Sequence, residues 1–364
     1  MIEELRNIKK NQNIDIIENK STEQDTNKSL TDYDISKPEE LSNYFKEMNI
    51  KVLEDFELQE LIGKGSESYV YKALYKKNKR TVACKIIQRE NGKINKNEYN
   101  ISKKLINKNI ITTYDTKILE KGALDIIMME YTKYNLKNFQ FKVLKIKYLS
   151  ETLLCYLAYQ LLNGLKYMHL CKICHFDLKP LNIIIDKFLN IKIIDFSVSL
   201  DYSRIKSKKI KLPFRGTNFY IPPEVINNET INVKDLNKID LYSLGVILYN
   251  LAFGKYPYDL TSEDSKDYDK IYEKVKKEWK IEDKDHYYSS HFIDFLQKLL
   301  QKDINKRINI NEALNHYWIK GYEILFEEKE KTYNVNQFLI YLMTDYYKTY
   351  NDYINKQKNF FHFN

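Results

Sequence analysis

The stretch Leu170-Cys-Lys-Ile-Cys174-His175-Phe-Asp177-Leu-Lys179-Pro-Leu-Asn182-Ile-Ile-Ile-Asp186 admits two incompatible readings. Its first half, Cys171 to His175, matches C-x-x-C-H, the attachment signature of a c-type haem. Its second half sets an Asp, a Lys and an Asn close together, after a long helical pattern and before a run of isoleucines. The first reading makes a redox protein, the second a polar catalytic loop.

Composition narrows the choice. The 364 residues, 43% apolar and 14% aromatic, suffice for one large domain or two lobes with extensions. Lys and Arg outnumber Asp and Glu, 59 to 50, leaving +9. The charges are scattered, with only short basic runs such as KSKKIK at 206–211, so no nucleic-acid partner is expected. A mildly basic surface leaves a preference for acidic partners open. Four cysteines do not make a disulfide framework. The start, Met1-Ile-Glu-Glu-Leu-Arg6, has neither the apolar core of a signal peptide nor the Gly that myristoylation requires. The most apolar run, Leu241 to Phe253, is shorter than the about 20 residues that span a bilayer. The expectation is a soluble, intracellular protein, cytoplasmic or nuclear, with no membrane partner. Haem attachment at Cys171 and Cys174 would need an oxidising compartment, and a zinc site would need a second cysteine pair. Neither a haem nor a zinc ion is supported at these cysteines, and the role of the polar loop that follows them stays open.

Residues 1–50 read as a polar arm without periodicity, with a short helix starting at Lys37-Pro38-Glu39-Glu40. From Asp55 the pattern turns to short alternating strands: FELQELI, SYVYKALY, RTVACKII and, later, ALDIIMMEY. Gly63-Lys64-Gly65 is expected in the turn between the first two. Then comes a long helical pattern, SETLLCYLAYQLLNGLKYMHL, followed by the short strands NIIID and IKIID. The fold class is α+β, with a β-rich lobe at about 51–132 and a larger helical lobe at about 133–320. Beyond Trp318, GYEILFEEKEK and NQFLIYLMTDYYKTYNDYI predict a helical extension, 321–364, packed on its own domain.

The chemistry-bearing residues follow the chain. The glycines of Ile62-Gly63-Lys64-Gly65-Ser66 let a backbone approach phosphates, although two glycines in a hairpin also suit a plain hairpin. Lys85 stands on an otherwise apolar strand, where an unpaired ammonium is costly, so it calls for a carboxylate partner and a phosphate ligand. Glu98, with Ile101 and Leu105 at i+3 and i+7, lies on or beside the inward face of a helix; Glu90 and Glu120 are rivals in poorer helical context. In the loop, Asp177 can accept a hydroxyl proton, Lys179 can neutralise a phosphoryl group and Asn182 can bind Mg²⁺. Asp195, after the second short strand, would complete the metal site.

In this order and spacing the motifs resemble those of the eukaryotic protein kinase family, over about Phe56 to Ile319. Gly216 to Glu224 resembles the end of an activation loop, and Asp240-Leu-Tyr-Ser-Leu-Gly245 the start of the central helix of the large lobe. Pro180 after Lys179, and Thr217 after Gly216, resemble the serine/threonine group. The resemblance implies a two-lobed, ATP- and Mg²⁺-dependent enzyme acting on protein substrates, a monomer. ATP would lie under Ile62, Gly63, Lys64, Gly65, Ser66 and Val70. Its adenine would rest against Ala83 and the hinge Glu130-Tyr131-Thr132, behind Met129 as gatekeeper. Lys85, held by Glu98, would position the phosphates, Asn182 and Asp195 the metal, and Asp177 the substrate hydroxyl. His175 would lie in a hydrophobic column under the site, and Arg307 would pair with Glu224.

Phe176 replaces the Arg of the HRD motif, Ser197 the Gly of DFG, Ser68 the third loop glycine and Ser102 an apolar spine residue. An inactive scaffold, a pseudokinase, is the alternative these changes raise, yet none removes a catalytic side chain. Phe176 cannot receive an activation-loop phosphate, so activity is expected not to depend on phosphorylation of Ser203 or Ser207; otherwise Arg204 or Arg215 would be the anchor. No carboxylate stands at Asn135, Leu136 or Asn250 to hold a basic substrate. Arg204, Lys206, Lys208, Lys209, Lys211 and Arg215 instead favour an acidic one.

Overall fold

The computed structural model describes residues 34, 36–47, 55–65, 68–88, 96–119, 124–144, 148–258, 267–277, 281 and 287–332. The small lobe is one antiparallel sheet of β1 (Phe56–Lys64), β2 (Ser68–Tyr75), β3 (Arg80–Gln88), β4 (Thr113–Leu119) and β5 (Leu124–Glu130), in the order β1-β2-β3-β5-β4. Side chains alternate across a pleated strand, so Val82, Cys84 and Ile86 leave one face of β3, and Ala83 and Lys85 the other. The first face is closed by α1 (Pro38–Glu47), which places Leu41, Tyr44 and Phe45 in one cluster with Tyr71, Ala73, Val82, Cys84, Ile86, Ile126 and Met128. Residues 38–47, assigned to the polar arm, are therefore part of the packed lobe. Their apolar side chains share one helical face and bury it on the sheet.

Two further expectations shift. β1 continues through Gly63, opposite Val70, and Lys64, opposite Tyr69, so only Gly65 of the two glycines is in the turn. β4 was hidden in sequence because it is an edge strand of mixed character, TYDTKIL. The helix carrying Glu98 is α2 (Lys96–Lys104), with Glu98, Ile101 and Ser102 all buried.

In the large lobe, β6 (Tyr134–Asn135) leads to α3 (Glu151–Leu170), whose first turn is capped by Ser150 Oγ accepting from Leu153 N. After it come β7 (Ile173–Cys174), β8 (Ile183–Ile185), β9 (Ile191–Ile193), β10 (Leu200–Asp201), β11 (Lys209–Lys211) and β12 (Thr230–Asn232). β6, β8 and β9 form one small sheet, and β7–β10 and β11–β12 are two-stranded ribbons. α4 (Lys238–Phe253) is buried almost throughout, as its apolar sequence requires, and stops at Gly254, φ +64°. α5 (Tyr268–Lys276) and α6 (Ser290–Leu299) follow. α7 (Tyr317–Thr332) runs straight through residue 320, where the sequence reading ended the domain. Trp318, Tyr322 and Phe326 recur every fourth residue on one face of α7, and Phe326 sets its ring edge-on to Tyr156 of α3 at 5.1 Å. The extension thus begins as a packed helix of the large lobe. The helix expected beyond it lies outside the described residues.

Candidate active site

Lys85 sits in the middle of β3, between Val70 of β2 and Ile127 of β5. Its Nζ donates to Glu98 Oε1 at 2.7 Å and to Asp195 Oδ1 at 2.8 Å. One ammonium therefore ties a strand and a helix of the small lobe to a loop of the large lobe. Burial alone would pull the Lys85 ammonium down, but the Glu98 and Asp195 carboxylates outweigh it and hold it above the ordinary lysine range. Burial also opposes ionisation of Asp195, and the Lys85 charge overcomes it, holding that carboxyl at about 2. At Glu98 burial prevails, and its carboxyl is raised. Glu90 and Glu120 lie outside the described residues.

The catalytic-loop candidates converge. Asp177 Oδ2 accepts from Lys179 Nζ at 2.6 Å and from Asn182 Nδ2 at 3.1 Å; Asp177 Oδ1 accepts from Thr217 Oγ1 at 2.7 Å. Lys179 Nζ also donates to Thr217 Oγ1 at 2.7 Å, and Asn182 Nδ2 to the Asp177 carbonyl at 2.9 Å. Asn182 and Asp195 are brought near each other by β8–β9 pairing, in which Ile183 faces Ile193, and by Ile194 N donating to Asn182 O at 3.0 Å.

Two non-glycine residues of these loops, Phe176 at φ +66° and Asp195 at φ +68°, hold left-handed backbone. Such conformations cost on the order of 1–3 kcal/mol each and persist only where surroundings enforce them. Around Phe176 the enforcer is Asp240, at the start of α4, buried completely. Its carboxylate accepts from His175 N at 2.9 Å, Phe176 N at 3.0 Å and the His169 ring at 2.9 Å. Burial opposes its ionisation, but His169 and these donors hold its carboxyl below the usual aspartate range. His175 Nδ1 accepts from Asp177 N at 3.2 Å, which leaves Nε2 to donate to Ile194 O at 3.0 Å. Its ring meets Phe196 edge-on at 5.8 Å. Cys174 is fully buried, its thiol toward Leu236 O at 3.2 Å, so the C-x-x-C-H match belongs to the core.

The nucleotide-site candidates divide. Register places Val70, Ala83, Lys85 and Met129 on one sheet face: Val70 is opposite Lys85 and Ala83 opposite Met129. Ile62 is an exposed residue of β1, Lys64 reaches over the Tyr69 ring, and Gly65 N donates to Ser68 O at 2.7 Å. Ser66 lies outside the described residues. Tyr131 and Thr132 follow β5 directly and are half-buried. Glu130 turns its carboxylate away from that face, to Lys192 Nζ at 2.7 Å and Thr112 N at 2.9 Å, so only its backbone is left for a ligand.

Sequence comparison agrees with this geometry: the family described as protein kinase domain matches residues 56–319. The chain belongs to the protein kinase family. It is 32% identical over 270 residues to the serine/threonine-protein kinase pakH of Dictyostelium discoideum, over 73% of this chain and 50% of that one. It is 31% identical over 320 residues to the probable serine/threonine-protein kinase fhkB of the same organism, over 81% of this chain and 26% of that one. Testis-specific serine/threonine-protein kinase 1 of Mus musculus is 31% identical over 269 residues, 71% of this chain and 70% of that one. The chain thus spans half of pakH and about a quarter of fhkB.

In kinase terms, the small sheet with α2 is the N-lobe and the helices from α3 onward the C-lobe. Glu224 and Arg307 form the expected pair, buried and bidentate at 2.6 and 3.0 Å. Ser102 is buried and returns its hydroxyl to Glu98 O at 2.7 Å, so the spine position is polar but satisfied. The activation segment is held by the β11–β12 ribbon, and Arg204, Lys206, Lys208, Lys209 and Lys211 are exposed along it. Arg215 is not among them. It is half-buried, with Nη1 donating to Val198 O at 3.0 Å and the guanidinium 5.3 Å from the centroid of the Phe176 ring. Sequence reasoning used Thr217 only as a class marker and Asp240 only as a helix start. A lone acid opening an otherwise apolar helix was a signal for the second. Among the described residues, no helix is long and apolar enough to cross a membrane.

Proposed function

We propose that the chain is a serine/threonine protein kinase that transfers the γ-phosphoryl group of ATP to protein hydroxyls. The observation that carries this reading is Lys85, shared by Glu98 of the N-lobe and Asp195 of the C-lobe, together with Asp177 of the catalytic loop, fixed at both oxygens. In this reading Lys85 holds the α- and β-phosphates, and Glu98 keeps Lys85 in place. Asp177 takes the proton of the substrate hydroxyl as its oxygen attacks the γ-phosphorus and the β–γ bridging bond breaks. Lys179 offsets the charge on the phosphoryl oxygens.

Among the described residues no group of three or more His, Cys, Asp and Glu side chains could hold a metal alone. The ionised Asp195 carboxylate and the Asn182 amide oxygen are hard donors, and such a pair suits Mg²⁺, which commonly completes its shell with substrate phosphates and water. Bound there, Mg²⁺ would supply positive charge to the phosphate oxygens.

Further parts of the reading rest on the altered residues. Phe176 offers nothing to a segment phosphate, which supports activity independent of activation-loop phosphorylation. The exposed run Arg204, Lys206, Lys208, Lys209 and Lys211 supports acidic substrates, without Arg215. The reading takes the chain as a monomer of the cytoplasm or nucleus. The scaffold alternative draws on Phe176, Ser197 and Ser68, but Lys85, Glu98, Asp177, Lys179, Asn182 and Asp195 all remain. Incubation with γ-labelled ATP on a degenerate peptide array tests the proposal: label on Ser/Thr peptides is expected, and nucleotide binding without transfer would favour the scaffold.

A further inference from the structure

We propose that Arg215 is a positioning residue that clasps the activation segment to the catalytic loop, doing from the segment side what a phosphate bound by the catalytic loop would otherwise do. The proposal rests on the kinase reading and extends it to regulation. Arg215, Gly216 and Thr217 dock in turn on Phe176 and Asp177. Arg215 covers the Phe176 ring and donates to Val198 O, so one side chain joins the catalytic loop, the stretch that follows Asp195 and its own segment. Gly216 lies at φ +98°, and a Cβ there would come within 2.3 Å of Phe176 O, so the two backbones are in contact. Thr217 completes the row through its hydroxyl on Asp177 Oδ1.

The chemistry is reversed from a phosphate clasp. The cation is on the segment, and the groups that receive it, an aromatic face and a carbonyl, are neutral. Phe176 is buried and Arg215 half-buried, and desolvation strengthens a cation–π contact. No phosphate is needed to complete the contact, and no basic side chain stands at position 176 to accept one.

The test uses phosphatase-treated full chain carrying Arg215→Met, Arg215→Lys, Phe176→Leu or Arg215→Met with Phe176→Leu, each checked by thermal melting. The first readout is the trypsin cleavage rate between Arg204 and Lys211, which needs no catalysis. The second is peptide phosphorylation with ATP and peptide varied separately. Loss of one desolvated cation–π contact should speed cleavage in Arg215→Met by about tenfold and lower kcat/KM for peptide by about tenfold, leaving KM for ATP unchanged. Arg215→Lys should lose less, and the double variant no more than Arg215→Met alone. Where Arg215→Met does not fold, faster cleavage in both Arg215→Lys and Phe176→Leu is the expected result. Wild-type cleavage rates in these variants, or losses that multiply in the double variant, would overturn the clasp. A wild-type protein that phosphorylates nothing would instead refute the kinase reading, and the cleavage rates would still decide the clasp.

Discussion

Thr217 Oγ1 donates to Asp177 Oδ1 at 2.7 Å, so the end of the activation segment is bonded directly to the carboxylate of the catalytic loop. With Lys179 Nζ on both Asp177 Oδ2 and Thr217 Oγ1, the carboxylate cannot turn without breaking a closed ring of hydrogen bonds. Thr217→Ser keeps the ring and should keep most activity. Thr217→Val keeps the shape but not the hydroxyl, and a freed, misplaced Asp177 should lower kcat by about a hundredfold with KM for ATP unchanged. Steady-state kinetics of the two variants check this, and equal activity in both would remove Thr217 from the machinery.

Glu98 should be a cost to stability and a need for activity. Its carboxyl is raised above 4.5 by burial. A raised acid contributes stability that is full below its unfolded value and is lost as pH rises through its folded value. Once pH passes that folded value, the ionised Glu98 weakens the fold. Glu98→Gln relieves this, and Lys85 keeps Asp195 as partner at 2.8 Å. The variant should melt no lower than wild type at pH 7, with the difference shrinking as pH falls toward 4.5, while phosphate transfer drops by about a hundredfold. Melting curves across pH, with activity alongside, measure both; a clear fall in melting temperature at pH 7 would contradict the account.

Much of this site was legible in sequence because charge in an apolar setting demands an explanation. Lys85 on β3 and Asp177, Lys179 and Asn182 between a helix and a strand are of that kind, and the structure brings their side chains to Glu98, Asp195 and Thr217. What stayed hidden depended on direction rather than composition. Nothing in the string around Arg215 distinguishes a side chain turned onto Phe176 from its exposed neighbours Lys209 and Lys211. Glu130 looked like a hinge residue and is one by position, but its carboxylate serves Lys192. The packing of α1 and the continuity of α7 across residue 320 were obscured for another reason. Their buried residues, Leu41, Tyr44 and Phe45 in α1 and Trp318, Ile319 and Phe326 in α7, are spaced out within segments rich in polar residues.

Phosphorylation of the activation segment should be dispensable. Ser203 and Ser207 are exposed, and Phe176 offers no cation to a phosphate on either. Phosphatase treatment, or Ser203→Ala with Ser207→Ala, is expected to leave kcat/KM unchanged. Loss of most activity would mean that Arg204 or Arg215 receives a phosphate.

Substrates with acidic residues beside the target hydroxyl should be preferred. On a peptide array at low salt, acidic flanks should raise kcat/KM by about tenfold over basic ones, with the advantage shrinking as ionic strength rises. Lys206→Glu with Lys208→Glu and Lys209→Glu should erase it. A preference for Arg or Lys upstream of the acceptor would show that the exposed basic run does not meet the substrate.

Phosphoryl transfer itself is tested most directly by comparing label transferred from γ-labelled ATP by wild type, Lys85→Met and Asp177→Asn, all confirmed folded by melting. The account predicts labelled serine or threonine with wild type and a loss of several orders of magnitude in each variant. Substantial transfer surviving in either variant, or none with wild type, would contradict it.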